Sequence, residues 1–598
     1  MHRIFSRKSL AIVLLCSLIW TPAAVAVVAR DEQQNRLCGR IEVLSGTGQI
    51  NIQGELVTAG SLIPELYRRN GYDLIWRRER NMSDLLEMIQ SSLEEGLTPA
   101  DYHQAALIRM LQRYQAGAVS GCERADLDLL LTDALLRLGY HLLYGKVNPR
   151  NLDPDWNLKR EIYDRDPVEL MQSAIESVSL RGFLQQFTPV LPLYSEMKRV
   201  LADYRAIAAH GGWPRIPPGP TLRPGDRDSR VMLIRRFLSI SGDLEERSVT
   251  DQQLYDRALE QAVVRFQKRH ALEMDGAIGR RTLAAMNVPV AARIDQIRVN
   301  MERSRWVFRD VPDEFLMIDI AGFQAALYRS RKPVWEAAVQ VGTPFRKTPV
   351  FQGLLEYLVF NPTWTVPPTI FEQDILPILK KDPGYLQEKN MRVIDAQGNS
   401  VDVSTIDWQR VSHRDFPFLL RQDPGPHNAL GRIKFMFPNK HSVYLHDTPN
   451  QSGFRQRKRT FSSGCIRVER PLELAELLLN DPLNWSREMI EQAIATAETR
   501  TVRLNKRIPV LLLYWTVGAD DANFYFKPDV YQRDGEVLNA LNGEFRFDPP
   551  DNMPAWYHYG LLPAQEGDIG DKRESSGVRG SPGTARSERA EERLRTDR

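Results

Sequence analysis

Cysteine is scarce in this 598-residue chain, limited to Cys16, Cys38, Cys122 and Cys465. That excludes a disulfide-dense scaffold. The chain also lacks a paired Cys-x-x-Cys, a His-Glu-x-x-His, a glycine-rich phosphate loop and a carboxylate cluster at ligand spacing, so the common metal and nucleotide signatures are missing and no cofactor is called for. Charge of one sign is not in excess. The 79 basic and 76 acidic residues leave a net +3, and composition does not argue for nucleic acid as the partner. Beyond the first segment, no apolar run reaches the roughly 20 residues of a membrane span.

What is present is an ordinary globular composition, 42% apolar and 26% charged, spread over more residues than one core holds. Roughly three to four domains are expected. Arg3, Arg7 and Lys8, an apolar run from Leu10 to Trp20, Pro22 and the small-residue triplet Ala24-Val25-Ala26 read as a secretory signal peptide over 1–26, with an uncleaved membrane anchor as the alternative. Export places the chain in the periplasm or cell envelope, where thiols tend to pair. Cys38 and Cys122 are candidates for a bridge, although spacing does not decide it. Cys465 is then the odd thiol, a candidate for reactivity.

Residues 61–213 carry helical periodicity. Leu127, Leu130, Leu131, Ala134, Leu135 and Leu138 fit one buried helix face. Pro214 to Gly225 is a linker by composition. In 226–292, Val231, Ile234 and Leu238 share one helix face, and Leu259, Ala262, Val263 and Phe266 share another. From Glu314 the pattern changes to strands. Ile433, Phe435 and Phe437 alternate with polar neighbours, Ser442, Tyr444 and His446 alternate with Val443 and Leu445, and Val510 to Val517 is apolar. A stretch of different character, about 371–426, reads as an insertion in this 313–545 domain. Met489, Ile490, Ala493, Ile494 and Ala497 give the last helical signal, and 564–598 is a polar tail expected to be disordered. The fold class is multidomain α+β, with a helical scaffold, a small three-helix module and a mainly-β domain bearing a capping insertion.

The chemistry concentrates in Ser462-Ser463-Gly464-Cys465-Ile466-Arg467-Val468. A thiolate is the nucleophilic form of cysteine and needs a base or a positive field to form. His446, upstream at the end of a predicted strand, is positioned to meet Cys465 across neighbouring strands. Alternation puts Tyr444 on the face of His446 and Arg467 on the face of Cys465, where a guanidinium suits a carboxylate. The Arg455–Arg459 loop adds positive charge, though such a run is more often a solvated face. A buried, inert cysteine is the competing reading.

Three further sets of residues bear on that choice. Phe266-Gln267, Asp275-Gly276, Ile278-Gly279 and Thr282 resemble a peptidoglycan-binding module. His446 followed by Ser462-Ser463-Gly464-Cys465 resembles the signature of YkuD-type L,D-transpeptidases, with Ser463 where a second histidine is common. Val341-Gly342-Thr343-Pro344-Phe345-Arg346-Lys347-Thr348-Pro349, Phe360-Asn361-Pro362-Thr363-Trp364, Pro424-Gly425-Pro426-His427-Asn428 and Tyr514-Trp515-Thr516 are similar to the large YcbB-like branch. The resemblance implies a thioester mechanism. Cys465 is the nucleophile, His446 the general base and acid, and the Gly464 and Cys465 N–H groups the oxyanion donors. Arg467, Tyr444, Ser463 and Trp364 contact substrate, and no metal takes part.

It further implies peptidoglycan stem peptides as partners, a tetrapeptide donor and a diaminopimelate-type acceptor, with cross-links between third residues and reaction with carbapenems. Wall-synthesis enzymes are conceivable partners, and a monomer is the default. Water, a D-amino acid or a protein lysine as acceptor, or a non-catalytic wall-binding protein, are the alternatives. A papain-like endopeptidase fits poorly, because there the cysteine precedes the histidine.

Overall fold

A computed structural model describes residues 32–557 apart from 59, 161–164, 246–249, 308–311, 413–415, 521–522, 546 and 555–556. The expected signal peptide or anchor and the polar tail lie outside the described residues. The helical half is organised around helix Gly121–Tyr144, whose start is fixed by a capping box between Ser120 and Glu123. This helix does not bury one face, as its leucine spacing suggests, but nearly its whole circumference. Helices Glu32–Thr47, Glu79–Ser91 and Gln104–Gln115 surround it.

Its three aspartates are internal because each finds partners. The Asp128 carboxylate accepts from the Tyr67 hydroxyl at 2.7 Å and from the N–H groups of Ile75 and Trp76, both at 3.1 Å. Asp133 meets His103 Nε2 at 2.6 Å, and Asp126 meets Arg40 at 3.2 Å. The considered Cys38–Cys122 disulfide does not form. Gln33 lies against Gly121 and Arg40 against Asp126, so the two helices run side by side in the same direction. Cys38 then sits about one turn past the level of Cys122, too far for a bridge.

The next unit is a bundle of three short helices, Arg230–Ile240, Arg257–Arg269 and Arg280–Met286. Val231, Ile234, Leu238, Leu259, Ala262, Val263 and Phe266 close its core, as their periodicity predicts. The buried Gln267 amide ties the bundle's loop by donating to Asp275 at 2.9 Å and to the Ala277 carbonyl at 3.0 Å. Helix Val290–Val307 then leads into the sheet domain and is bonded along its length. Asn300 donates to Thr516 Oγ1 at 2.7 Å, Arg303 pairs with Asp534 at 2.6 Å, and buried Glu302 accepts from the Val147 N–H at 2.7 Å.

The main sheet of this domain has, among the described residues, nine strands in the order Thr460–Ser462, Lys332–Gly342, Ile466–Val468, Leu445–His446, Ile433–Met436, Phe351–Phe360, Arg500–Leu513, Glu314–Asp319 and Gln324–Arg329. The long strand Lys332–Gly342 also pairs with Gln324–Arg329, so the sheet closes on itself. Closure removes most open edges and leaves an interior filled by Leu316, Leu358, Phe435, Leu445, Ile466 and Val510.

A separate four-stranded sheet, with strands between Trp364 and Gln422, packs over its own core around Phe371, Leu379, Val393 and Trp408. After the main sheet the chain returns to the helical half, where Leu541 and Met553 join the scaffold core. Phe435 is fully buried in the sheet interior. Phe435→Ala should lower stability by about 3–5 kcal/mol, read as a drop in the denaturant midpoint of the sheet domain.

Candidate active site

Strands Leu445–His446 and Ile466–Val468 are parallel neighbours, with Leu445 opposite Ile466 and His446 opposite Arg467. The Ile466 N–H donates to the Tyr444 carbonyl at 3.0 Å, which sets Cys465 beside Tyr444. Leu445, Ile466 and Val468 point into the core, so His446, Arg467 and the half-buried Cys465 share the opposite face. The strand through Tyr444 is shorter than its alternation predicts. It pairs only at Leu445–His446, because Ser442 takes a left-handed turn at φ 54°.

The turn that carries Cys465 is supported from below. Gly464 sits at φ 117°, a conformation side-chain-bearing residues avoid. Its N–H donates to Ser462 Oγ at 3.1 Å and its carbonyl accepts from Thr348 Oγ1 at 2.8 Å. The Thr348 hydroxyl oxygen also accepts from the Gly342 N–H at 2.9 Å. A Cβ at Gly342 would lie 2.1 Å from the Arg346 carbonyl oxygen, so only glycine lets this loop fold back there. Tyr531, far along the chain, donates to the Gly342 carbonyl at 2.6 Å.

His446 is 4% exposed, and its Nδ1 lies 2.6 Å from the carbonyl oxygen of Asp447. A carbonyl only accepts, so Nδ1 carries the hydrogen and Nε2 is the nitrogen of the neutral ring that can take a proton. Burial, with Arg467 and Lys434 nearby, pulls the imidazole pKa down to about 3. Burial likewise pushes the Cys465 thiol up, opposed by bonds from the Tyr444 main chain and hydroxyl and by the charges of Lys434 and Arg467.

The Tyr444 ring is 5.7 Å from the His446 ring, and Lys434 Nζ lies 3.9 Å above its centroid. Arg467 donates to Gln340 Oε1 at 3.2 Å, while its buried Nε has no protein partner among the described residues. The Tyr444 hydroxyl also meets Trp364, which stands where the capping sheet joins the main one.

Exposed Ser463 accepts from Arg346 at 2.8 Å, and the same guanidinium reaches Gln373 at 2.6 Å and Asp374 at 3.0 Å on the capping unit. Of the Arg455–Arg459 loop, Arg459 is structural, donating to the carbonyls of Phe323 at 3.0 Å and Val339 at 3.2 Å. Sequence reasoning did not single out Lys434, Thr348, Arg346 as a clasp, Tyr531 or the Asp447 carbonyl. Arg346 and Thr348 stand in the 341–349 segment already quoted, and Lys434 left a signal as a cation on the polar side of an alternating strand next to the one bearing His446.

Because folded His446 resists a proton that the unfolded chain accepts near pH 6.5, stability should be lost as pH falls from about 6.5 toward about 3. His446→Gln removes that component. The denaturant midpoint of the variant should vary less across this range, with buried His141 and His270 keeping the remaining slope.

Comparison with known proteins bears on this geometry. A family model described as the L,D-transpeptidase catalytic domain matches residues 313–499. One described as "Putative peptidoglycan binding domain" matches 227–286, and a scaffold domain matches 61–201. A Haemophilus influenzae protein named "Putative L,D-transpeptidase" is 36% identical over 231 residues, covering 38% of this chain and 47% of that relative. The chain thus spans about half the length of the curated relative it matches.

Solved L,D-transpeptidase structures from Stackebrandtia nassauensis and Xylanimonas cellulosilytica are 11% and 14% identical, with TM-scores of 0.20 and 0.16. Each match covers 50% of this chain, with 97% and 100% of those chains respectively. Likeness that slight carries no weight beside the family match. Residues 313–499 thus match the YkuD-type L,D-transpeptidase catalytic domain, and residues 227–286 match a putative peptidoglycan-binding domain.

Proposed function

We propose that this chain is an L,D-transpeptidase of the cell envelope that joins peptidoglycan stem peptides through a thioester on Cys465. The observation that carries the reading is that Tyr444 bonds Cys465 and lies 5.7 Å from the His446 ring, where two paired parallel strands bring Cys465 and His446 to the face away from the core.

The Cys465 thiol gives its proton to His446 Nε2, and the sulfur attacks the carbonyl of the third residue of a donor tetrapeptide. The carbonyl π electrons move to oxygen, to which the Cys465 N–H donates; the Gly464 N–H is engaged by Ser462 Oγ in this state. Collapse breaks the amide, His446 returns the proton to the departing D-amino acid, and a thioester remains. The amine of a second stem then attacks, expelling the thiolate and giving a link between third residues.

Arg467, with its unpartnered buried Nε, holds a donor carboxylate, and Trp364 and Tyr444 wall the site. Trp364 and the Arg346 clasp place the capping sheet at the entrance, where acceptor choice is made.

The test is intact-protein mass spectrometry after exposure to a disaccharide-tetrapeptide and to a carbapenem. One adduct is expected on the wild type and none on Cys465→Ala. His446→Gln should slow acylation by roughly a hundredfold or more. Product analysis then names the acceptor: a dimer linked between third residues supports cross-linking, and a tripeptide alone means water. Absence of any adduct on folded protein would overturn the reading.

A further inference from the structure

Lys434 is a half-buried lysine with no ion pair to a carboxylate among the described residues. Burying a cation without a counter-ion is costly, and such groups gather where charge is used. Its neighbours Ile433 and Phe435 point into the core, so alternation turns Lys434 to the face of Cys465. The antiparallel register sets it directly opposite His446, which itself lies opposite Arg467 on the other side. The ammonium rests over the Tyr444 ring, and the Tyr444 hydroxyl bonds Cys465.

Among the described residues, Tyr444 and Arg467 also act on the sulfur, and His446 shares its face of the sheet. Nearby Arg346 is engaged by Asp374, and the Asp447 carboxylate by Arg432. Among the described residues, therefore, no carboxylate orients His446 as an ion-pair partner; the Asp447 main-chain carbonyl does.

We propose that Lys434 is the electrostatic partner of the Cys465 thiolate, held in place by the face of Tyr444, and that it, rather than a histidinium, stabilises the ionised sulfur. This rests on the reading of Cys465 as nucleophile and adds a positioning residue to it. His446 is then neutral at rest and is protonated only while it carries the Cys465 proton to the departing amine. Its low basicity in this structure agrees with that division, because a ring that resists protonation is a poor resident counter-ion. A lysine seated only for packing would leave the thiol's ionisation unchanged when its charge is removed and its bulk kept.

The experiment follows alkylation of Cys465 by iodoacetamide as a function of pH on the full chain, quantified on the Cys465 peptide so that Cys38 and Cys122 do not contribute. Lys434→Met keeps the stem and removes the charge; Lys434→Gln serves if the first variant does not fold, and thermal unfolding checks both. The expected result is a rise of about one unit in the apparent thiol pKa, seen as about tenfold slower alkylation below the midpoint. Lys434→Arg should return the profile to near wild type. A neutral variant whose profile superimposes on wild type, or an arginine variant displaced as far as the methionine one, would overturn the proposal. Iodoacetamide requires no peptidoglycan, so the result stands apart from whether the tetrapeptide acylates the protein.

Discussion

Parallel pairing of Leu445–His446 with Ile466–Val468 is the constraint on which the site depends. Parallel neighbours cannot be joined by a tight turn, so the chain between them must leave and return. It does so through a short helical turn at Gln451–Arg455 and the outer strand Thr460–Ser462, and re-enters by the sharp bend at Gly464. The register then fixes which side chains meet. A slip of one residue would send Cys465 into the core and Ile466 to the surface. Thr348, Gly342 and Tyr531 hold the bend against such a slip with bonds from two other parts of the chain.

The same face explains the electrostatics. Cys465 and His446 lie among strands whose other faces are packed, so both lose hydration and both shift toward their neutral forms. The charged groups nearest them are positive, Lys434 and Arg467. That arrangement suits an anion, whether a thiolate or a peptide carboxylate, and disfavours an imidazolium. Orientation of His446 falls to the Asp447 carbonyl, which needs no charge of its own, while the Asp447 carboxylate binds the Arg432 N–H at 2.9 Å and secures the preceding loop.

The catalytic sheet is also tied to the rest of the molecule. Helix Val290–Val307 bonds to scaffold and sheet domain alike through Glu302, Asn300 and Arg303, and the C-terminal segment re-enters the scaffold core. On the open side, one guanidinium, that of Arg346, bonds both the Ser463 loop and the capping unit. The capping sheet is therefore held to the turn that carries Cys465, so its position and that of Ser463 are coupled.

Much of this was legible in the sequence, because local periodicity reports burial. The three-helix module and the alternation at Ile433–Phe437 follow from side-chain spacing alone. The motif around Cys465 suggested the proposed chemistry, since few residue types supply a nucleophile and a proton acceptor together. The buried circumference of helix Gly121–Tyr144 was not legible, because aspartates read as solvent-facing until their partners, sixty or more residues away for Tyr67, are placed beside them. Nor were Lys434 over Tyr444, Tyr531 under Gly342 and the carbonyl behind His446. By itself, the sequence determined the elements and the residue types offered to the site, which depend on near neighbours. Tertiary structure alone decided register, burial and the resulting charge environment, which arise from groups distant in the chain and close in space.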